Sequence, residues 1–192
     1  MKNFILRTLT GTAYVAVIVV CIMMNSYTML ALTTLLALWA MIEFNAMHNT
    51  DKTDSRLCGR GENILTMLCG IALIGSVYLC VNGLQFWSVA VFVLLLCARM
   101  ISAIYSKQKS PLNTLAHSIA SLFYIAFPLA LLNWIYAVSP YLVLAIFVMI
   151  WLNDTGAFIV GSSIGRHKMF PRISPKKSWE GLAGGFAVCI GL

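Results

Sequence analysis

One carboxylate, Asp154, stands inside a long apolar run, and a cluster of cations follows it: Arg166, Lys168, Arg172 and then Ser174-Pro175-Lys176-Lys177, with Ser178 and Glu180 close behind. A charge at the centre of a bilayer costs about 2.5–3.5 kcal/mol on insertion scales, so it is retained where it is paired, binds a cation or faces water. Contact with a metal ion or a nucleotide is one reading of Asp154; a structural pair with a lysine, or with Asn153 and Thr155, is the other. Ser174-Pro175-Lys176-Lys177 has the layout of a helix start, with Ser174 as N-cap and Pro175 at the first helical position. Two cations in a first turn oppose the helix dipole. An anion seated between free backbone N–H groups and the two ammonium groups would reverse that penalty, as phosphate does at helix N-termini. Anchoring to anionic lipid, worth about 1 kcal/mol per lysine, accounts for the lysines equally well.

Glu180 lies four residues after Lys176 and on a helix would share its face, in the less favourable order for an ion pair. It either neutralises a lysine or helps hold a divalent cation that bridges phosphates. Gly161-x-x-x-Gly165 and Gly181-x-x-x-Gly185 have the small-residue spacing that lets membrane helices approach closely, and they read as packing devices. Neither is a phosphate-binding Walker loop, because Ser162-Ser163 stands where that loop needs lysine. His48, His117 and His167 share no ligand spacing and read as bystanders. Of the six cysteines only Cys58 lies in a polar loop, and the others read as small core residues.

The elements that must position these groups are membrane helices. With 60% hydrophobic and 10% charged residues among 192, and a mean hydropathy of +0.88, the chain lies far from soluble usage. Apolar runs near the ~20 residues needed to cross ~30 Å of hydrocarbon predict an all-α, polytopic transmembrane bundle. Six complete spans are expected, over about 8–24, 27–47, 63–81, 84–105, 112–138 and 141–164, with the start of a seventh from Pro175. Residues 1–192 form a single integral membrane domain, with helical hairpins over 1–111 and the start of the catalytic membrane region over 112–192. Asp154 then sits roughly 21 Å from the outer end of the sixth span, in its cytoplasmic half. From Ser178 the last helix has room for only roughly 22 Å before Leu192, so the chain is expected to be the N-terminal part of a longer protein.

All thirteen Lys and Arg residues fall at the N-terminus or toward the ends of spans two, four and six, with Arg99 expected to snorkel to the interface. The connections after spans one, three and five carry none. This places the N-terminus and the basic segment 166–177 on the cytoplasmic side. The formal charge of +7 is therefore a topology signal, and no nucleic-acid partner is expected.

DTGAFIVG, GRHK, PRISPKKSWEG and LAGG, over residues 153–185, resemble the phosphatidate cytidylyltransferases, also called CDP-diacylglycerol synthases. The resemblance implies Mg²⁺-assisted transfer of a cytidylyl group from CTP to phosphatidic acid, giving CDP-diacylglycerol and pyrophosphate. It implies a nucleotide and phosphate site of Ser174, Lys176, Lys177, Ser178 and Glu180, with Arg166 and Lys168 as further substrate-binding candidates. Lys177 and Asp154 are the candidate catalytic residues, and Asp154 is the candidate metal contact. CTP, phosphatidic acid and membrane lipids are the partners, a homodimer is left open, and a bacterial inner membrane is the expected location. Ser178 stands where the family usually has Thr, and Ser162 where a basic residue is frequent. The family's C-terminal signature, Lys-Asp and His-Gly-Gly followed by Asp-Arg and a further Asp, is not in these 192 residues. The chain alone is therefore expected to lack a complete catalytic site, with the main metal ligands beyond Leu192. Two other functions compete: a CTP-dependent polyprenol or lipid-alcohol kinase, and a transporter using Asp154 as a coupling-ion site.

Overall fold

The computed structural model describes residues 2–48, 59–83, 87–106 and 110–191; the side chains of residues 2–8, His48 and Lys176 fall outside that description. Among these residues the fold is helical, with one small hairpin. The order is α1 (Lys2–Met24), α2 (Ser26–His48), α3 (Arg60–Val81), α4 (Trp87–Ile104), α5 (Pro111–Ser121), a π-helical turn (Leu122–Ala126), α6 (Phe127–Val138), α7 (Pro140–Ile164), β1 (Lys168–Phe170), β2 (Ser174–Ser178) and α8 (Trp179–Ile190). Among the described residues five segments are long and apolar enough to cross a membrane: Ser26–Met47, Arg60–Val81, Trp87–Ile104, Pro111–Val138 and Pro140–Ile164. Leu9–Met24 and Trp179–Ile190 are apolar but shorter. The chain divides into two compact units, Met1–Pro140 and Tyr141–Leu192.

The first unit has its large apolar side chains on the outside. Trp39, Leu94 and Tyr124 are among many that are exposed, as lipid-facing residues are. Lipid tails are as apolar as leucine, so burial of such groups gives helices no reason to associate; close packing and interhelical hydrogen bonds must do that work. The buried positions show it. Asn133 of α6 donates from Nδ2 to Thr33 Oγ1 of α2 at 2.9 Å, and Thr66 Oγ1 of α3 donates to Ser118 Oγ of α5 at 3.0 Å. Small buried residues, Ala37, Cys69, Ala126 and Ala130, fill the spaces between helices with Met41, Ile74 and Leu122.

Two turns follow from local chemistry. Asn25 starts α2: its Oδ1 accepts the Thr28 N–H at 2.9 Å, and Thr28 Oγ1 accepts the Asn25 N–H at 3.2 Å. This reciprocal cap explains how the helical hairpin turns without a loop. The expected span over 112–138 is interrupted by the π-helical turn, with the Phe127 N–H bonded to the Leu122 carbonyl. Pro128 follows directly; its ring lacks an N–H and would crowd the carbonyl four residues back, and the wider turn relieves this.

One sequence expectation is corrected in this unit. Arg99 does not snorkel: it is fully buried, with Nε donating to Ser118 Oγ (3.1 Å) and Thr66 Oγ1 (3.2 Å), Nη1 to Ser102 Oγ (3.2 Å) and Nη2 to the Thr114 carbonyl (3.3 Å). The single Nε–H is shared between two hydroxyls, so three N–H groups donate, and at about 0.6 kcal/mol each they offset part of the ~2.5–3.5 kcal/mol that an arginine costs in a membrane helix. His117 has a structural place in the same bundle. It is buried, stacks on Phe44 with ring centres 4.6 Å apart, and its Nε2 lies 2.9 Å from Asn45 Oδ1. Of the described cysteines only Cys69 is fully buried, whereas Cys80 and Cys97 lie on exposed faces.

Candidate functional site

Every candidate site residue lies in the second unit, which is built on the crossing of α7 and α8. The two glycine motifs form that crossing, as their spacing predicts. A β-carbon placed on Gly181 would come within 2.9 Å of the Ala157 carbonyl oxygen and 3.2 Å of Gly161 Cα. One on Gly185 would meet Asn153 Oδ1 at 2.5 Å and the Asn153 carbonyl at 2.7 Å. Gly156 extends the contact, since a β-carbon there would lie 2.9 Å from Val188 and 3.2 Å from Gly185 Cα. Backbone therefore meets backbone over about two turns, and side chains larger than hydrogen have no room at these points.

The helix start is corrected. Ser174-Pro175-Lys176-Lys177 is the body of β2, paired antiparallel with β1 through Phe170↔Ser174 and Lys168↔Ser178. The Ile173 N–H closes the intervening turn on the Phe170 carbonyl at 3.1 Å. Helix α8 begins at Trp179, and its N-cap is Ser178, whose Oγ accepts the Gly181 N–H at 3.2 Å. The physical reason is the charge order. A helix begun at Pro175 would put two cations in its first turn, whereas one begun at Trp179 puts Glu180 there, which the dipole favours. Pro175, lacking an N–H, is tolerated in a strand whose other edge is unpaired among the described residues.

This changes what the helix end can hold. The Gly181 N–H is used by Ser178, and the Trp179 N–H donates to the His167 carbonyl at 3.0 Å. Free N–H groups beside two first-turn lysines are not what the segment offers. Instead it offers a basic hairpin ahead of a capped helix. Lys177 and Lys168 are exposed, with Lys168 in register with the residue after Lys177. Arg166 is exposed just before β1, and Ser174 is half-buried at the far end of β2. Lys176 lies in β2, and its side chain is outside the described residues. Ser178 is buried, its hydroxyl pressed against Gly161, Gly165 and Gly181.

Glu180 is fully engaged. Its Oε1 lies 2.6 Å from His167 Nδ1, and its two oxygens accept the N–H groups of Arg166 and His167 at 3.2 Å. The His167 imidazole, assisted by backbone N–H groups, holds the Glu180 carboxyl well below the ordinary carboxylate range, at about 2. His167, read as a bystander from sequence, is thus the partner of a site residue; the expected pairing of Glu180 with Lys176 rests on a side chain outside the described residues. No local spacing signals the pair, because only the hairpin pairing of β1 with β2 brings residues 167 and 180 together.

Asp154 is exposed on α7, one position beyond Asn153, which borders Gly185. Consecutive helical residues point about 100° apart, so the acid lies off the face that packs on α8. Neither a lysine nor Asn153 nor Thr155 pairs with it among the described residues; Thr155 Oγ1 donates instead to the Trp151 carbonyl at 2.7 Å. No group of three or more His, Cys, Asp or Glu side chains converges among the described residues. An unpaired carboxylate fits a hard cation such as Mg²⁺, which commonly takes one or two carboxylates and completes its shell with phosphate oxygens and water.

Comparison with known proteins bears on the family of the chain. Phosphatidate cytidylyltransferases share sequence with the chain: that of Haemophilus influenzae is 33% identical over 117 residues, 58% of this chain and 40% of that protein. The Aquifex aeolicus protein is 37% identical over 86 residues, 45% of this chain and 33% of the relative. Identity reaches 51% over 43 residues with the Staphylococcus haemolyticus protein, 22% of this chain and 16% of that one. Each match spans less than half the relative's length. The profile of the Cytidylyltransferase family, however, matches residues 5–192, through both the helical bundle and the hairpin with its flanking helices, and the chain belongs to that family.

Proposed function

We propose that this chain supplies the nucleotide-facing part of a membrane enzyme that transfers a cytidylyl group from CTP to phosphatidic acid. The observation that carries the reading is the basic hairpin, with Lys168, Lys177 and Arg166 exposed ahead of α8 in the same unit as the unpaired Asp154. A phosphate oxygen of the lipid attacks the α-phosphorus of CTP, forming the new P–O bond of CDP-diacylglycerol. The bond from the α-phosphorus to the bridging oxygen breaks, and pyrophosphate leaves with that electron pair. The chain's own residues bind and orient: Lys177, Lys168, Arg166 and Ser174 hold triphosphate oxygens, and Lys177 stabilises charge gathering on the leaving group. Asp154 is the residue that would hold Mg²⁺, which supplies neutralisation of phosphate charge. Ser178 serves the site by fixing the start of α8.

We take the hairpin to face the cytoplasm, where CTP is, on the strength of the Lys and Arg distribution. The bacterial relatives support a bacterial inner membrane. The reading needs one copy of the chain per site, whether or not copies associate.

The test is product analysis by mass, on membranes expressing the full reading frame and supplied with CTP, phosphatidic acid and Mg²⁺. CDP-diacylglycerol and pyrophosphate are expected. Formation of CDP and a lipid phosphomonoester would make the protein a kinase, and CTP-independent flux in liposomes would make it a transporter; either overturns the reading.

A further inference from the structure

We infer that Glu180 is a positioning residue, which clamps the Arg166-His167 turn to the head of α8 and so fixes where the exposed Arg166 and Lys168 leave the hairpin. It does not itself contact phosphate or metal.

Both carboxylate oxygens already have partners. One meets His167 Nδ1 at 2.6 Å, and the pair together accept the N–H groups of Arg166 and His167 at 3.2 Å. The same short turn is tied in the reverse sense by the Trp179 N–H donating to the His167 carbonyl at 3.0 Å. One residue later Lys168 enters the strand pairing opposite Ser178. Residues 166–168 are thus fastened to 178–180 by a side-chain clamp, a backbone bond and a strand register, while the Arg166 and Lys168 side chains remain exposed. A lysine partner for Glu180 is absent among the described residues, where its one ion-pair contact is with His167.

The alternative role, direct coordination of Mg²⁺, conflicts with this geometry. Coordination needs a carboxylate oxygen about 2.0–2.1 Å from the ion, and His167 Nδ1 occupies the approach to Oε1 at 2.6 Å. A metal on Oε2 would have to displace two backbone donors. The carboxyl's low titration point agrees with a group whose anionic form is already satisfied within the protein.

That the clamped cations meet a nucleotide rests on the cytidylyl-transfer reading; that Glu180 holds the turn does not. The experiment therefore has two arms, both on protein expressed from the full reading frame in nanodiscs, comparing wild type with Glu180→Gln, Glu180→Ala and His167→Ala. The first arm measures amide hydrogen exchange at Arg166 and His167. Exchange about tenfold faster in Glu180→Ala, with an intermediate effect in Glu180→Gln, is expected from losing one charge-assisted bond against retaining a neutral acceptor. Unchanged protection in Glu180→Ala overturns the inference.

The second arm measures equilibrium CTP binding and KM against kcat at several Mg²⁺ concentrations. A positioning role predicts that Glu180→Ala weakens CTP about tenfold at all Mg²⁺ concentrations, that Glu180→Gln recovers most of the loss, and that KM for phosphatidic acid does not move. Equal defects in Gln and Ala variants, relieved by raising Mg²⁺, would make Glu180 a metal ligand and overturn the inference. His167→Ala leaves the backbone contacts of Glu180 in place and guards against a variant that fails to fold; a partial CTP defect is expected from it. Should wild type neither bind CTP nor form product, the functional reading falls, and the exchange arm still decides the role of Glu180.

Discussion

At the level of single residues, Asp154 and Lys177 share a property that makes them separable from the scaffold: both are exposed, and neither makes a hydrogen bond or ion pair among the described residues. Removing either side chain should cost the fold little, since surface substitutions away from caps and networks usually change stability by under about 0.5 kcal/mol. Lys177→Ala and Asp154→Asn are therefore expected to lower kcat/KM by about a hundredfold, with melting temperature in detergent unchanged. Unchanged turnover in both would remove them from the site. Glu180 titrates on a different principle. Its folded value of about 2 lies below the ordinary 4.5, so the stability it contributes is fully present above pH 4.5 and is lost as pH falls toward 2. The melting-temperature advantage of wild type over Glu180→Gln should accordingly shrink between pH 5 and pH 3, and more so in low salt, because the His167 side chain is 81% exposed and its contact is screened. Sequence reasoning found Asp154 because a carboxylate in an apolar run is conspicuous. It missed His167 because the partner of Glu180 is thirteen residues away, and only the path of the hairpin brings the two together.

At the level of elements, the instructive case is the helix that does not start at Ser174. Two residues in this stretch can cap a helix, Ser174 and Ser178, and proline after the first made it the stronger candidate by propensity. The cost was visible in the two lysines, and an anion was invoked to offset it; the chain avoids it by keeping Pro175-Lys176-Lys177 in a strand and placing Glu180 in the first turn. The glycine spacing was legible because small-x-x-x-small needs no tertiary information beyond a helix partner. A β-carbon on Gly165 would run into the Gly161 carbonyl and Ser178 Oγ, and one on Gly184 into Val160. Gly165→Ala should thus disturb the Ser178 cap and lower stability by about 1–3 kcal/mol, measured as a fall in melting temperature in detergent. Arg99 gives the opposite lesson. Its two hydroxyl partners on other helices already donate within the protein, Ser118 to the Thr114 carbonyl and Thr66 to Ser118 Oγ, so deleting the guanidinium leaves neither without an acceptor. Arg99→Met is expected to be close to neutral, whereas Arg99→Lys keeps a buried charge with fewer donors and should cost about 1–3 kcal/mol. A Lys variant as stable as the Met variant would show that the fork geometry contributes nothing.

At the level of the whole molecule, the side of the membrane was read from charge, and the structure removes one charge from that reading. Arg99 lies inside the bundle and says nothing about loops, yet the other twelve Lys and Arg residues remain at the N-terminus, in the segments 49–60 and 106–110, or in the hairpin region from Arg166 to Lys177. Helix α7, 25 residues long, spans roughly 37 Å at ~1.5 Å per residue, enough to carry the chain from one face to the other. Ser139, just before it, and Phe170, exposed in β1 after it, should then lie on opposite sides. The measurement is labelling by a membrane-impermeant thiol reagent, in a background with the native cysteines replaced. Ser139→Cys is expected to react in right-side-out vesicles and Phe170→Cys only in inverted ones. The reverse pattern would put the hairpin away from the cytoplasmic nucleotide pool and would remove the physical basis for CTP as its ligand, whatever the sequence similarity. Labelling of both from one side would mean that α7 does not span, and an Asp154 at the membrane surface would then carry no desolvation cost and no special claim on a cation.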